Sequence, residues 1–442
     1  MQTSLRGIAN RAATHKEHRF RNLSGLLNEA NLIWCFQFLR KDAAPGVDRV
    51  DVVEYQRGLD SHIRDLAERL KGQRYRAKLV RRRYIPKPNG KMRPLGIPAT
   101  EDKLVQVAVA KILEAIYEQD FLDFSHGFRP GRNPRDASRD LARQLLIGKY
   151  CWVVEADIKG FFDHINHQWM IEMLEERIDD KPFLRLIDKW LRAGILETDG
   201  QVVHPVTGTP QGGIVSPVLA NIYLHYALDL WFERRIKPHC RGEAMIIRFA
   251  DDFVCAFQYR SDAESFYRNL GERLGKFGLA LAPDKTRILR FCRFDLSGSG
   301  RFDFLGFEYY WERTRSGRLG MKRRTSRKKL RASLANMTDW IRRNRSLRVG
   351  QLLPILRAKY RGYWNYYGEI GNYASLAQFF YRSKRILSSG STVVVNARAI
   401  LGPASQIFWL SLAWRDLGSP NSTAQLSFAS CDRLRSCGCE QP

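Results

Sequence analysis

The chain has 442 residues, of which 44% are hydrophobic, enough for about two to four ordinary domains with real cores. Its 73 Lys and Arg against 46 Asp and Glu leave a formal charge of +27, far beyond what solubility requires. An excess of that size points to a polyanionic partner, nucleic acid first and an anionic membrane surface second. No apolar run reaches the roughly 18 residues of a spanning helix, and the polar N-terminus lacks the apolar core of a secretory signal, so the chain is expected to stay inside the cell.

Taken in order, residues 1–16 are basic and acid-free, as an organelle transit peptide would be, so an organellar location is the lesser alternative. Length and apolar spacing predict helices at 30–39, 101–118, 135–146, 169–178, 216–235 and 262–277. "CWVVEADI", Cys151 to Ile158, reads as a strand that turns acidic near its end. Met245 to Phe249 and Phe253 to Phe257 read as two strands flanking Ala250-Asp251-Asp252, a β-hairpin with carboxylates at its tip. Strands alternating irregularly with helices give the expected class, α+β.

Between Arg313 and Arg345 there are 13 Lys or Arg and one acid, Asp339, a one-sidedness that suits phosphate binding better than a solvated helix face. In "RAKYRGYWNYYG", Arg357 to Gly368, aromatic residues interleave with basic ones. Such rings can stack on unpaired bases or bury half their number in a small helical core. From Ser388 onward the character changes to four Arg, three acids, no Lys and no Tyr. The eight cysteines, at 35, 151, 240, 255, 292, 431, 437 and 439, show no repeated spacing, so reduced thiols are expected.

An Asp-Asp pair at a hairpin tip is by itself unremarkable, since Asp tolerates turns. Three features shift the balance. The flanks are too apolar for a surface turn, a second strand ends in Asp157, and the chain is strongly basic. Asp157 and Asp251, brought together by sheet pairing, could bind two divalent ions about 4 Å apart, the arrangement used for in-line phosphoryl transfer. Mg²⁺ is the expected ion, because it prefers carboxylate oxygens and shares its shell with substrate phosphates.

These residues carry a family resemblance. "RFADDF" resembles the catalytic hairpin of reverse transcriptases, with Phe249 where Tyr is more usual, and "EADIKGFFDHINH" resembles their first carboxylate motif. "GTPQGGIVSPVLANIYLHYALD", Gly208 to Asp229, resembles the group II intron-encoded reverse transcriptases, or maturases, of bacterial type. The likeness runs on through "RRRYIPKPNGKMRPLGIP", "HGFRPGRNPRDA", "LAPDKTRI", "FDFLGFEYY" and "RAKYRGYWNYYG", over roughly residues 5 to 387.

The resemblance implies a right-hand polymerase fold. Fingers with an N-terminal extension would occupy 1–150, the palm 151–311, an α-helical thumb or maturase domain 312–387, and an atypical tail 388–442. It implies Asp157, Asp251 and Asp252 as catalytic metal ligands, with the main-chain carbonyl of Ile158, for two Mg²⁺ ions that Mn²⁺ could replace. Lys87, Arg93, Phe162, Gln211 and Lys285 would bind the nucleotide. Phe162 would be the ring that clashes with a 2′-hydroxyl, and Lys285 would protonate or neutralise pyrophosphate. Arg81 to Arg83 are read as phosphate-backbone contacts, and His126, Arg129 and Arg132 as template-side or structural groups. RNA contacts are expected from Arg323, Arg324, Lys328, Lys329, Arg361, Tyr363 and Trp364.

The function implied is RNA-directed DNA polymerisation within a group II intron ribonucleoprotein of the bacterial cytoplasm, associated with the nucleoid. The partners would be intron RNA, an RNA template, a DNA primer, target DNA and deoxynucleoside triphosphates, with no membrane. Two alternatives stand beside it: a splicing cofactor without effective polymerisation, and an intron-independent enzyme used in defence or repair. The chain departs from the family in showing no His-Asn-His endonuclease with paired cysteines, and in its altered character after Leu387.

Overall fold

The structure is a computed structural model and describes residues 1–86, 90, 92–209, 212–313, 317 and 319–388. The chain divides into two compact units, the first running from Met1 to Lys329 and the second starting at Leu330. The strands of the first unit are β1 (Val80–Pro86), β2 (Met92–Ile97), β3 (Trp152–Asp157), β4 (Ile195–Leu196), β5 (Val202–Val203), β6 (Ala244–Phe249), β7 (Asp252–Phe257), β8 (Arg287–Arg290), β9 (Phe302–Phe304), β10 (Phe307–Arg313) and β11 (Leu319–Thr325).

Three sheets result, ordered β2-β1-β4-β5, β6-β7-β3-β8 and β11-β10-β9. In the second, β3 pairs antiparallel with both β7 and β8. Phe253 to Phe257 in β7 are all buried, which suits this apolar run to a central place beside β3, with β6 and β8 on the flanks. The pairing continues past the end of β3: Lys159 N donates to Ala280 O over 2.8 Å, and Ala282 N donates to Asp157 O over 2.8 Å.

The helix Thr100–Tyr117 is buried on nearly every face: its apolar residues are joined by Asp102, Lys103 and Gln106, whose polar groups are hydrogen-bonded to Lys78 N, Ala44 O and Ile214 N. The helix Pro134–Ile147 starts on a capping box. Asn133 accepts from Arg135 N and Asp136 N, Asp136 answers to Asn133 N, and Pro134 supplies the preset first turn. The expected helix at 169–178 begins earlier, as His167–Glu175, because Asn166 caps it through Trp169 N.

The expected helix 216–235 needs correction. It is α-helical only over Ser216–Leu224, then widens into π-helical turns at His225–Asp229 and Phe232–Ile236. Such bulges shift the phase of every later side chain and are frequent at functional sites. Here the shifted phase sets Asp229 against Arg248. The cysteine expectation is also corrected at one pair. Cys151 and Cys292, set next to each other where β3 pairs with β8, are joined in a disulfide. Cys35, Cys240 and Cys255 are free thiols.

The second unit holds the helices Val349–Tyr367 and Tyr373–Ser388 together with most of Arg327–Asn344. Its core is Leu334, Met337, Ile341, Leu352, Leu356, Tyr360, Phe379 and Leu387. Among the described residues no helix is long and apolar enough to cross a membrane.

Candidate active site

The register decides where the acids go. Phe249 pairs with Asp252, so the hairpin turn consists of Ala250 and Asp251 alone, and Asp252 is already the first residue of β7. On its other side Asp252 pairs with Asp157, the last residue of β3. Of the two carboxylates expected at the hairpin tip, Asp251 alone sits on the turn, while Asp252 lies in the strand and faces Asp157, the acid that ends β3.

A two-residue hairpin turn demands left-handed backbone, which Asn or Gly supplies cheaply. Ala250 adopts it at φ +58°, a conformation that costs a residue with a Cβ roughly 1–2 kcal/mol. Two features hold it there. Arg248 Nη1 donates to Ala250 O over 3.1 Å. Gly127 lies against the turn so closely that a Cβ there would fall 2.2 Å from Ala250 N.

The Arg248 guanidinium is wholly buried. It donates from Nε and Nη2 to the two carboxylate oxygens of Asp229 at 2.7 and 2.5 Å, from Nη1 to Asn221 Oδ1 at 3.0 Å, and from Nη2 to Ser125 Oγ at 2.7 Å. Asn221 Nδ2 in turn donates to Gly127 O over 2.6 Å. Removing one member of such a buried pair costs about 3–5 kcal/mol. None of these residues stands out from motif reasoning about acids and metals. The signal that could have exposed them is a charged Arg inside the apolar run "MIIRF".

The electrostatics follow from burial and crowding. Burial, then the charges of Asp157, Asp251 and Glu155, push the Asp252 carboxyl up to about 7 against the pull of Lys285. Asp251 is also raised, by burial first and then by Asp157, while Lys285 and Arg93 draw it back. Lys285 Nζ donates to Asp157 Oδ2 over 2.7 Å.

Partly buried like charges beside one lysine form a site short of positive charge, and their oxygens are the hard donors that Mg²⁺ prefers. The set therefore fits a divalent ion. Among the described residues no group of three or more His, Cys, Asp or Glu is gathered as a ligand cage, so oxygens from a substrate would have to complete the shell.

The family described as "Reverse transcriptase (RNA-dependent DNA polymerase)" matches residues 85–309, a span containing all three aspartates, Arg93, Phe162 and Lys285. The chain belongs to the reverse transcriptase family. Its relatives include the group II intron-encoded protein LtrA of Lactococcus lactis subsp. cremoris, 46% identical over 193 residues, which are 41% of this chain and 32% of that protein. Protein YkfC of Escherichia coli (strain K12) is 31% identical over 369 residues, 75% of this chain and 94% of that one. An uncharacterized 91 kDa protein in a cob intron of Schizosaccharomyces pombe is 31% identical over 392 residues, 72% of this chain and 46% of that one. The chain thus aligns with about a third of LtrA and nearly all of YkfC. Membership among the group II intron reverse transcriptases and maturases, and the α+β right-hand polymerase fold, both stand.

Other family motifs are held by close backbone contacts. Phe162 is half-buried, edge-on to Phe161 and Phe128 with ring centroids at 5.4 and 6.2 Å. Its carbonyl accepts from Thr209 N over 2.8 Å. Gly208, at φ +92°, packs so tightly that a Cβ would lie 2.9 Å from Phe162 O. Gly212, at φ +123°, would place a Cβ 2.5 Å from Gly96 O in β2. Gly208 is thereby set against Phe162, and Gly212 against β2. Arg93 sits in β2 opposite Ile85 and its charge reaches Asp251. Lys87 and Gln211 lie outside the described residues.

The basic residues sort into two groups. Arg82 faces Glu197 at 3.0 Å, opposite in strand phase to its neighbours Arg81 and Arg83. Arg129 is buried against Glu118 and the carbonyls of Leu122 and Ser125. His126 is buried beside Asp140, and Arg132 pairs with Asp123.

Arg323 requires correction as an RNA-facing residue. It is only 8% exposed and donates to Ser138 Oγ over 2.9 Å, because its β11 position points inward onto the helix Pro134–Ile147. Arg324 is half-buried, paired with Glu308 and lying over the Tyr310 ring. Lys328, Lys329 and Arg361 are exposed. Tyr363 stacks on Phe379 at 3.8 Å, and Trp364 meets Tyr360 and Phe380 edge-on. Both rings are thus half-buried parts of the second unit's helical packing.

Proposed function

We propose that the chain is an RNA-directed DNA polymerase of a group II intron ribonucleoprotein, extending a DNA primer on an RNA template and binding the intron RNA whose splicing it assists. The observation that carries the chemistry is the pairing of Asp157 with Asp252 beside Asp251. Their crowded, partly buried like charges suit the family's use of divalent metal ions.

Asp157, Asp251 and Asp252, with the carbonyl of Ile158, would hold two Mg²⁺ ions, with Mn²⁺ as a substitute. Bound there, the ions supply activation of the primer 3′-hydroxyl and neutralisation of the departing pyrophosphate. The chain's own residues orient the reactants. Arg93, whose charge reaches Asp251, offers a planar fork to the triphosphate, and the motifs assign Lys87 and Gln211 to the same pocket. Phe162, fixed through its backbone to Gly208 and Thr209, presents a flat ring that would clash with a 2′-hydroxyl. Lys285, already on Asp157, stands ready to give a proton or a charge to the pyrophosphate.

Exposed Lys328, Lys329 and Arg361 would follow RNA phosphates, and target DNA would be engaged by the same ribonucleoprotein in the bacterial cytoplasm at the nucleoid. The test is extension of a DNA primer by the purified chain on RNA with each of the deoxynucleotides and then with ribonucleotides. Incorporation of deoxynucleotides alone supports the reading. A folded chain that binds intron RNA, promotes its splicing and never extends a primer would replace it with a splicing cofactor.

A further inference from the structure

We propose that Arg248 is a positioning residue for the metal-binding aspartates, acting through the carbonyl of Ala250. The inference rests on the polymerase reading and adds to it a residue that touches neither substrate nor metal.

Four observations carry it. The guanidinium is 0% exposed and reaches four partners: Asp229, Asn221, Ser125 and the Ala250 carbonyl. Most of a strand's Arg side chains turn to solvent, so an Arg held wholly inside is there at a large desolvation cost. Its main-chain acceptor is the residue immediately before Asp251, and that residue holds the left-handed conformation at φ +58°. Third, the Nη1 that holds Ala250 O also meets Asn221 Oδ1, and Asn221 holds the Gly127 carbonyl, so the same pair of groups grips the turn and the segment packed against it. Fourth, Asp229 reaches the guanidinium from a π-helical turn, so the backbone departs from α-helix at the anchor of the clamp.

The physical consequence concerns the Asp251 carboxylate. A strained non-glycine turn persists only where its surroundings over-determine it. Without the Nη1 bond, Ala250 would relax toward right-handed backbone, and the Asp251 side chain would rotate away from Asp157 and Asp252. Stability need not change much for this to matter, because misplacement of reacting groups by about 1 Å can cost about 10²-fold in rate. Outer partners that orient metal ligands typically contribute about 10- to 100-fold in metal affinity.

The experiment compares the full-length native chain with Arg248→Lys, Asn221→Ala and Ser125→Ala. Arg248→Lys keeps the charge facing Asp229 but cannot span to Ala250. Asn221→Ala is the milder variant if Arg248→Lys does not fold, and Ser125→Ala removes a bond to the same guanidinium on the side away from the turn. Three quantities are read on folded protein: Mn²⁺ affinity by electron paramagnetic resonance without nucleic acid, kcat for extension, and affinity for a primer-template.

The expected result is a roughly tenfold weaker Mn²⁺ affinity and a kcat lower by about 10²-fold in Arg248→Lys. Asn221→Ala should show the same pattern at smaller size, Ser125→Ala should match the native chain on both, and primer-template affinity should stay level throughout. The inference is overturned if folded Arg248→Lys and Asn221→Ala keep native Mn²⁺ affinity and kcat, or if Ser125→Ala loses as much as Asn221→Ala. A native chain that binds Mn²⁺ with three intact aspartates but extends nothing defeats the polymerase reading while the Mn²⁺ comparison still decides the role of Arg248.

Discussion

Lys285 donates from Nζ to Asp157 Oδ2 over 2.7 Å while its side chain stays 67% exposed. The bond to Asp157 raises the lysine's pKa, so it is charged at neutral pH. Its exposed side leaves it able to turn from the carboxylate to an arriving triphosphate. Lys285→Ala is expected to slow single-turnover extension by about 10²-fold, the usual contribution of a positioned proton donor, with primer-template affinity unchanged. If Lys285 acts only by charge, Lys285→Arg recovers nearly all of that loss; a proton-donating role leaves it impaired, because arginine does not give up its proton.

Gly127 is the second position where the site dictates one residue. A Cβ 2.2 Å from Ala250 N has only backbone to push against, and overpacking of this kind costs about 1–3 kcal/mol. Gly127→Ala should lower the thermal midpoint and abolish extension together. A variant with native midpoint and native rate would mean that the approach of Gly127 to the turn is looser than described.

Much of the site was legible in the sequence, and the reason is chemical. Two acids between apolar strands and a third acid ending another strand are hard to explain except by cations, and the register Asp157–Asp252 brings them together. The helices at 101–118 and 135–146 were legible from their length and apolar spacing. What stayed hidden depends on groups far apart in the chain. No local rule marks Gly127 as abutting the distant turn at Ala250, or predicts that π-turns would bring Asp229 to Arg248. Arg323 misled for a related reason. A basic run reads as a surface, yet strand alternation sends every second residue inward, and Arg323 is one of those, held at Ser138.

That division has a measurable consequence for RNA binding. Lys328→Ala with Lys329→Ala removes two exposed cations, so the slope of log affinity against log salt should fall by about 0.7–0.9 for each phosphate no longer neutralised. Arg323→Ala should leave that slope unchanged and reduce stability instead, since it vacates a buried partner of Ser138. Filter binding across a salt series, beside a urea titration, distinguishes the two. A slope change in Arg323→Ala equal to that of the lysine pair would contradict the buried placement.

His225 sets a pH dependence of folding. Burial, outweighing the pull of Asp229 and aided by Arg248, lowers its pKa to about 4. The unfolded chain, titrating near 6.5, therefore binds more protons between these values. Stability contributed by neutral His225 is present above about pH 6.5 and is lost as pH falls toward 4, by something on the order of 3 kcal/mol. Urea midpoints measured from pH 7 to pH 4.5 should fall less steeply in His225→Gln than in the native chain. Parallel curves would show that His225 is not the group responsible.

The most direct measurement is primer extension on an RNA template with Mg²⁺ and deoxynucleotides, native chain against Asp251→Ala, each checked for fold by circular dichroism. Asp251 lies on the turn rather than in the strand core, so its loss should spare the fold. The native chain should show deoxynucleotide-dependent extension, and folded Asp251→Ala should show none. Equal extension by both would contradict the assignment of Asp251, and no extension by a folded native chain over varied primers and salt would contradict the polymerase itself.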